Sequence, residues 1–263
     1  MKVDVFAVPG ELDDADLSGA KVVVVDVIRA TTTVLTGLEA GAQRVVAAAS
    51  IEEAVRLAGS TEWSGALLCG ERGGRRIDGF DLGNSPGEFR PETVEGKTLV
   101  CTTTNGTRVL RRCRFAGEVS LGCFRNRRAL ADRLVASIGA EAGRNAAPGV
   151  AIACAGKEGR LGLEDLLCAG LIVEVLEESV PGITPSDGAR VALAVAAAIG
   201  APTPDFLSTT AAGVALVRIG LERDLAFCAE VDVSPCVPVL RGGGFVLAER
   251  IETAGSLVET GSD

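Results

Sequence analysis

Four stretches of the 263-residue chain concentrate groups that could handle an anionic substrate. The first is Asp26-Val27-Ile28-Arg29-Ala30-Thr31-Thr32-Thr33, preceded by four consecutive valines, so that charge appears only where a buried strand emerges. Backbone N–H groups opening the next helix, together with three hydroxyls, suit an anion. Arg29 adds a planar fork for a phosphate or carboxylate. Asp26 could bind a metal or orient a nucleophile; the plainer alternative is that it caps the helix and pairs with Arg29. The second stretch, Cys101 to Thr107 (CTTTNGT), places hydroxyl and amide donors on a tight turn after a strand. The third, Cys69 to Glu88 (CGERGGRRIDGFDLGNSPGE), is long, glycine-rich and charged, with Glu71, Arg72, Asp78, Asp81, Asn84 and Ser85 as potential ligands. The fourth, Cys154 to Gly170, sets Gly156-Lys157-Glu158-Gly159 at a strand end and Glu164-Asp165 at a helix start, where the helix dipole favours acids anyway.

Histidine is absent, which removes Ser-His-Asp and Cys-His hydrolysis, phosphohistidine chemistry and His-ligated zinc or haem. Common phosphate motifs fail. Gly96-Lys97-Thr98 has Pro91 where a P-loop needs its first glycine, no GxGxxG occurs, and a haloacid-dehalogenase motif would need an aspartate at Ile28. Cys-x5-Arg, the spacing of tyrosine-phosphatase loops, occurs at Cys69…Arg75 and Cys154…Arg160. Two matches are little more than chance expects, and Glu71 inside the first loop would repel a thiolate and a phosphate alike.

These residues need a scaffold. Short β-branched runs alternate with Ala/Leu-rich stretches, the pattern of an α/β layered fold with a largely parallel sheet. Strands are expected at Val3–Val8, Lys21–Asp26, Arg44–Ala48, Ala66–Cys69, Thr98–Thr102, Glu118–Leu121 and Val150–Cys154. Helices are expected at Ala30–Ala40, Ile51–Ala58, Gly106–Arg112, Arg127–Ser137, Leu163–Glu178, Ser186–Ala198 and Pro204–Ile219, with VPVLRGGGFVLAER as a closing hairpin turning at Gly242–Gly244. Two βα units look like copies, with Thr102 matching Asp26, Asn105 matching Arg29 and Thr107 matching Thr31. Both copies put polar residues at the C-terminal end of a strand, where open α/β sheets bind ligands. No Pro/Ser-rich linker divides the chain, so residues 1–263 are expected to form one compact unit.

Composition bounds the partners. A net charge of −9 and only 3% aromatic residues speak against nucleic acid and anionic membranes. Eight cysteines without CxxC spacing suggest neither a disulfide scaffold nor a zinc ribbon. The start is acidic soon after Met1 and lacks a long apolar core, and no run approaches the roughly 18 to 20 apolar residues of a membrane span. A soluble cytoplasmic protein with reduced thiols is expected, and a two-fold homodimer is the default assembly.

Taken in order, DVIRATTT, GERGGxxIxGFDLGNSP, TTTNGT and CAGxxGxxxLED closely resemble the motifs of the 2-phosphosulfolactate phosphatase family, over nearly the whole chain. The resemblance implies a magnesium-dependent acid phosphatase acting on phosphate esters of 2-hydroxycarboxylic acids, the named substrate being an intermediate of coenzyme M biosynthesis. It also implies a three-layer α/β/α fold of two similar intertwined halves. Asp26, Arg29, Thr31 and Thr32 fall in its first motif. Glu71, Arg72, Gly73, Asp81, Asn84 and Ser85 fall in the second, Thr103, Thr104, Asn105, Gly106 and Thr107 in the third, and Gly156, Glu164 and Asp165 in the fourth. One departure stands out: relatives often carry Ser-x-His-Gly on the late helix, where this chain reads TTAAG with Ala212 at the histidine position.

The expected assignments follow. Asp26, Glu71 and Asp165 are metal ligands, direct or through water, for a hard, oxygen-seeking magnesium ion. Asp26, Arg29, Thr103 and Asn105 are the catalytic set. Thr31, Thr32, Gly73, Asn84, Ser85, Thr104, Gly106 and Thr107 bind the substrate, while Arg72 or Lys157 holds its carboxylate and sulfonate. The nucleophile is either a metal-bound water or a carboxylate such as Asp26. Two competing readings remain at this point: a cysteine nucleophile at Cys69 or Cys154, and a non-catalytic sulfonate- or carboxylate-binding relative.

Overall fold

The computed structural model describes residues 1–13, 15–103, 109–110, 112–113, 115–141 and 149–249. The expected helix at Gly106–Arg112 therefore lies largely outside the described residues, as do Thr104, Asn105, Gly106 and Thr107.

Eleven strands form one mixed, mostly parallel sheet: β1 (Lys2–Phe6), β2 (Lys21–Val25), β3 (Arg44–Ala47), β4 (Leu67–Arg72), β5 (Arg75–Arg76), β6 (Thr98–Thr102), β7 (Glu118–Gly122), β8 (Val150–Cys154), β9 (Thr184–Pro185), β10 (Pro238–Arg241) and β11 (Gly244–Leu247). Their order is β5-β4-β6-β3-β11-β10-β7-β2-β8-β1-β9. β4, β6 and β3 form one parallel block and β7, β2, β8, β1 and β9 another. The expected closing hairpin is present, but it lies between the two blocks, β11 antiparallel to β3 and β10 antiparallel to β7. The copied units expected from sequence are thus shared between the blocks: β2 and β7 lie in one, β3 and β6 in the other.

β2 is a run of valines because both faces of a parallel strand are covered. Val23 and Val25 enter the apolar cluster on one face, and Val22 and Val24 enter the cluster on the other. Helices therefore flank the sheet on both sides, in agreement with the three-layer expectation. On one side are α1 (Ala30–Glu39) and α3 (Pro91–Val94). On the other are α4 (Arg127–Glu141), α5 (Leu163–Ser179), α6 (Asp187–Ile199), α7 (Pro204–Thr209), α8 (Ala211–Arg218) and α9 (Arg223–Cys228). α2 (Ile51–Ala58) packs on β6 and β4, and Ser50 caps it by accepting from the Glu53 N–H at 3.1 Å.

The expected helix over Pro204–Ile219 is two helices. Thr210 leaves helical geometry (ψ 160°), and its hydroxyl accepts from the Gly213 N–H at 3.2 Å while donating to the Leu207 carbonyl at 3.0 Å. A threonine serving as N-cap thus starts α8 afresh. No helix among the described residues is long and apolar enough to cross a membrane.

Close packing leaves no room for a side chain where α5 meets α6. A Cβ on Gly170 would lie 2.1 Å from the Ala192 carbonyl oxygen, a backbone atom that cannot swing aside. Gly170→Ala is expected to destabilise the protein by about 1–3 kcal/mol. A lowered urea midpoint at unchanged m-value checks this, and an unshifted midpoint rejects it.

The sheet is not flat. β4 and β2 stand six positions apart in the sheet order, so a flat sheet would separate them by about 29 Å. Yet Glu71 at the end of β4 and Asp26 just past β2 line the same cavity. The hairpin is in ladder register with each block at a single residue pair, Phe245 with Val45 and Val239 with Ser120. α1 packs on β3, β7, β10 and β11, and is buried along most of its length.

Candidate active site

The curved sheet brings the C-terminal strand ends to one cavity of about 200 Å³. Asp26 comes from β2, Glu71 from β4, Thr103 from β6, and Gly156 and Lys157 from β8. Arg29, Gly73, Gly74 and Asn84 complete the polar wall, and Ala212, Ala215, Leu216 and Ile219 supply an apolar wall from α8 and the turn after it. Ala212, at the position where the sequence departs from the pattern it resembles, thus faces the site.

The turn from β2 into α1 explains the threonine cluster. Thr31 Oγ1 donates to the Asp26 carbonyl and Thr32 Oγ1 to that of Val27, both at 2.9 Å, while Thr33 Oγ1 reaches the Asn84 carbonyl at 2.9 Å. These buried hydroxyls are spent on the backbone, which lets β-branched residues open a helix. Neither Thr31 nor Thr32 lines the cavity; their part is to build the turn that carries Asp26 and Arg29. The Ile28–Arg29 peptide within that turn is cis.

Asp26 is 6% exposed, and its Oδ1 accepts from the Ala30 N–H at 3.3 Å, leaving Oδ2 without a hydrogen bond to any described residue. Burial pushes its carboxyl up to about 7; the Ala30 N–H and Arg29 pull it down, and Glu164 and Glu71 push it up. Asp26 does cap the helix, but Arg29 pairs elsewhere. Arg29 Nη1 meets Asp224 Oδ2 at 2.7 Å.

Glu164 and Asp165 behave differently although they are neighbours. Asp165 Oδ1 accepts from the Val27 N–H at 2.8 Å and Oδ2 from the Gly156 N–H at 2.9 Å, so it ties the end of β2 to the end of β8. Burial holds it protonated well above the usual carboxylate range, with Glu164 and Asp26 adding repulsion. Glu164 is 3% exposed and its Oε2 has no hydrogen-bond partner. Burial raises its pKa, against the pull of its own N–H, Thr210 and Lys157.

The glycine-rich loop folds back on β4. Glu71 Oε2 accepts from the Gly74 N–H at 2.7 Å, and Asp81 Oδ2 accepts from the Leu68 N–H at 2.8 Å. Arg72 turns away, donating to its neighbour's carbonyl at Glu71 and to Thr102 Oγ1, and it does not line the cavity. Ser85 also stands behind the wall, bonded to Asp224. Lys157 lines the cavity with its Nζ 3.3 Å from the Ala211 carbonyl. Of the expected set, the structure therefore gathers Asp26, Arg29, Glu71, Gly73, Asn84, Thr103 and Lys157. Asp165, Ser85, Thr31, Thr32 and Arg72 stand outside the lining, and Thr104, Asn105, Gly106 and Thr107 lie outside the described residues.

Cys69 and Cys154 are buried and line no part of this cavity. A shared hydrogen bond with Cys101, and then burial, push the Cys69 thiol well up; burial does the same to Cys154, with Asp165 and Glu164 adding to it. Neither is disposed to be a thiolate nucleophile.

The donors facing the cavity are oxygens, a set that suits a hard cation. Among the described residues no three acidic or thiol groups converge closely enough to enclose an ion.

Similarity to known proteins identifies the family. The model of a family described as 2-phosphosulpholactate phosphatase matches residues 6–243. The chain is 44% identical over 244 residues to a probable 2-phosphosulfolactate phosphatase of Thermus thermophilus, covering 92% of this chain and 95% of that one. A protein of the same description from Thermotoga petrophila is 37% identical over 227 residues (86% and 92% of the two chains), and one from Deinococcus radiodurans is 38% identical over 226 residues (86% and 89%). A polar cavity at strand ends, in a chain matched along nearly all its length, makes this protein a member of the 2-phosphosulfolactate phosphatase family, a family of phosphomonoester hydrolases.

Proposed function

We propose that this chain hydrolyses the phosphate ester of a small, multiply anionic 2-hydroxy acid, 2-phosphosulfolactate, with magnesium as its cofactor. The observation that carries this reading is the charge pattern of the wall. Asp26 and Glu71 meet Arg29 and Lys157 around one cavity, and Arg29 is already matched by Asp224. An anion entering there needs a further positive charge, and the carboxylates can recruit one. Asp26 and Glu71 are the residues that would hold the ion, Asp165 serving to fix the strand ends rather than to ligate. Bound there, magnesium would supply Lewis acidity and charge neutralisation.

The chain supplies placement and charge, which phosphoryl transfer needs more than covalent chemistry. Arg29 grips phosphate oxygens, Thr103 and the backbone at Gly73 stand beside them, and Lys157 takes the carboxylate or sulfonate. The apolar wall of α8 excludes water from the other side and leaves the three-carbon skeleton no polar contact to satisfy.

A phosphate-release screen over 2-phospho-hydroxy acids tests this. Release is expected with magnesium, to be abolished by EDTA, and to survive iodoacetamide, because the candidate thiols are buried and held protonated. Full activity in EDTA with loss on alkylation would reject the reading in favour of a cysteine route. Tight binding without release under any divalent ion would select a binding protein, the outcome that Ala212 in the wall would then explain.

A further inference from the structure

The counter-charge of Arg29 comes from the far end of the chain. Arg29 is 4% exposed, and Nη1 donates to Asp224 Oδ2 at 2.7 Å and to Ser85 Oγ at 3.2 Å. Ser85 Oγ donates to the same Asp224 oxygen at 2.5 Å, closing a triangle. Nη2 donates to the Gly74 carbonyl at 2.7 Å. A guanidinium has five N–H donors. Nε–H and the second N–H of Nη2 have no partner among the described residues, and Arg29 lines the cavity.

Asp224 touches no part of that cavity, so any influence it has on the reaction passes through Arg29. It sits in the first turn of α9, which is anchored by the fully buried Leu225 and Cys228. Three segments thus grip one planar group: α9 through Asp224, the loop after β5 through Ser85, and the β4–β5 turn through Gly74. A plane held at three points has the direction of its remaining donors fixed. An enclosed guanidinium without a carboxylate would also be costly to keep in place.

We propose that Asp224, with Ser85, is a positioning residue that holds the Arg29 guanidinium so that its two unengaged N–H groups are kept for the substrate's phosphate. This rests on the reading of Arg29 as a phosphate contact. The rival account is that the ion pair only fastens α9 to the start of α1.

A double-mutant cycle on kcat/KM for phosphate release separates the two. Arg29→Ala is expected to lower kcat/KM by about 10²- to 10³-fold. Asp224→Asn is expected to lower it by about 30-fold in the wild-type background and by less than about threefold in the Arg29→Ala background, since its effect needs the guanidinium. An equal loss in both backgrounds overturns the positioning role while leaving the phosphatase reading intact. Wild-type kcat/KM in Arg29→Ala overturns the phosphate contact itself, and the positioning role with it. Should Asp224→Asn not fold, Ser85→Ala takes its place in the same cycle, with about a fivefold loss expected beside Arg29 and none without it.

Discussion

Asp26→Asn is expected to lower phosphate release by about a thousandfold or more while leaving the fold intact. The substitution preserves shape and keeps an oxygen for the Ala30 N–H, so the cap that Asp26 provides at 3.3 Å survives. What it removes is the charge that Asp26 brings to the cavity. That carboxyl titrates near 7 through burial, with Glu164 and Glu71 adding to the shift, so its ionised form is costly in the empty protein and becomes favourable when a cation arrives. Steady-state kinetics with saturating magnesium, beside a circular-dichroism melt, measure both halves of the expectation. Near-wild-type turnover would remove Asp26 from the catalytic centre.

Glu164→Gln carries the second large effect, with stability and activity moving in opposite directions. A buried carboxylate whose Oε2 finds no partner, beside Asp26 and Asp165, is a liability to the empty fold. Neutralising it is expected to raise the melting temperature of the magnesium-free protein by about 2–4 °C, as about 1 kcal/mol does at this chain length. Phosphate release is expected to fall by about a hundredfold, and the stabilisation given by magnesium to shrink, because Glu164, though outside the cavity lining, adds its charge to the field at Asp26, where a cation would be held. A lower melting temperature with unchanged turnover would show instead that Glu164 is a structural acid.

The contrast between Glu164 and Asp165 shows why the site was only partly legible from sequence. Two acids opening a helix look alike, because the dipole favours both. Only the Val27 and Gly156 amides, which reach Asp165 from two other segments, make one a tie, while the other keeps an unpartnered Oε2. The threonines mislead for a related reason: a hydroxyl near a strand end can face a ligand or its own backbone, and residue type does not choose. Asp224 carried no motif at all, since its role is defined by an arginine 195 positions away.

Elements fared better. The valine run of β2 and the capped helix after Ser50 announce themselves through local chemistry, and Val150–Cys154 and Ile51–Ala58 match their expected bounds. Where one element ended and the next began was also written locally at Thr210, although the apolar periodicity running through it masked the cap. The place of the hairpin was not written locally. Alternation and a glycine turn identify two strands, but which edges they join depends on long-range pairing that periodicity does not contain.

That placement has a consequence for how the protein is made. Until Pro238–Leu247 leaves the ribosome, β3 and β7 each present a naked rim of backbone donors and acceptors, and the sheet is in two pieces. The joining piece is synthesised after everything it joins, so assembly of the cavity waits for that hairpin. Chains released early would carry two sticky margins apiece, the raw material of aggregates.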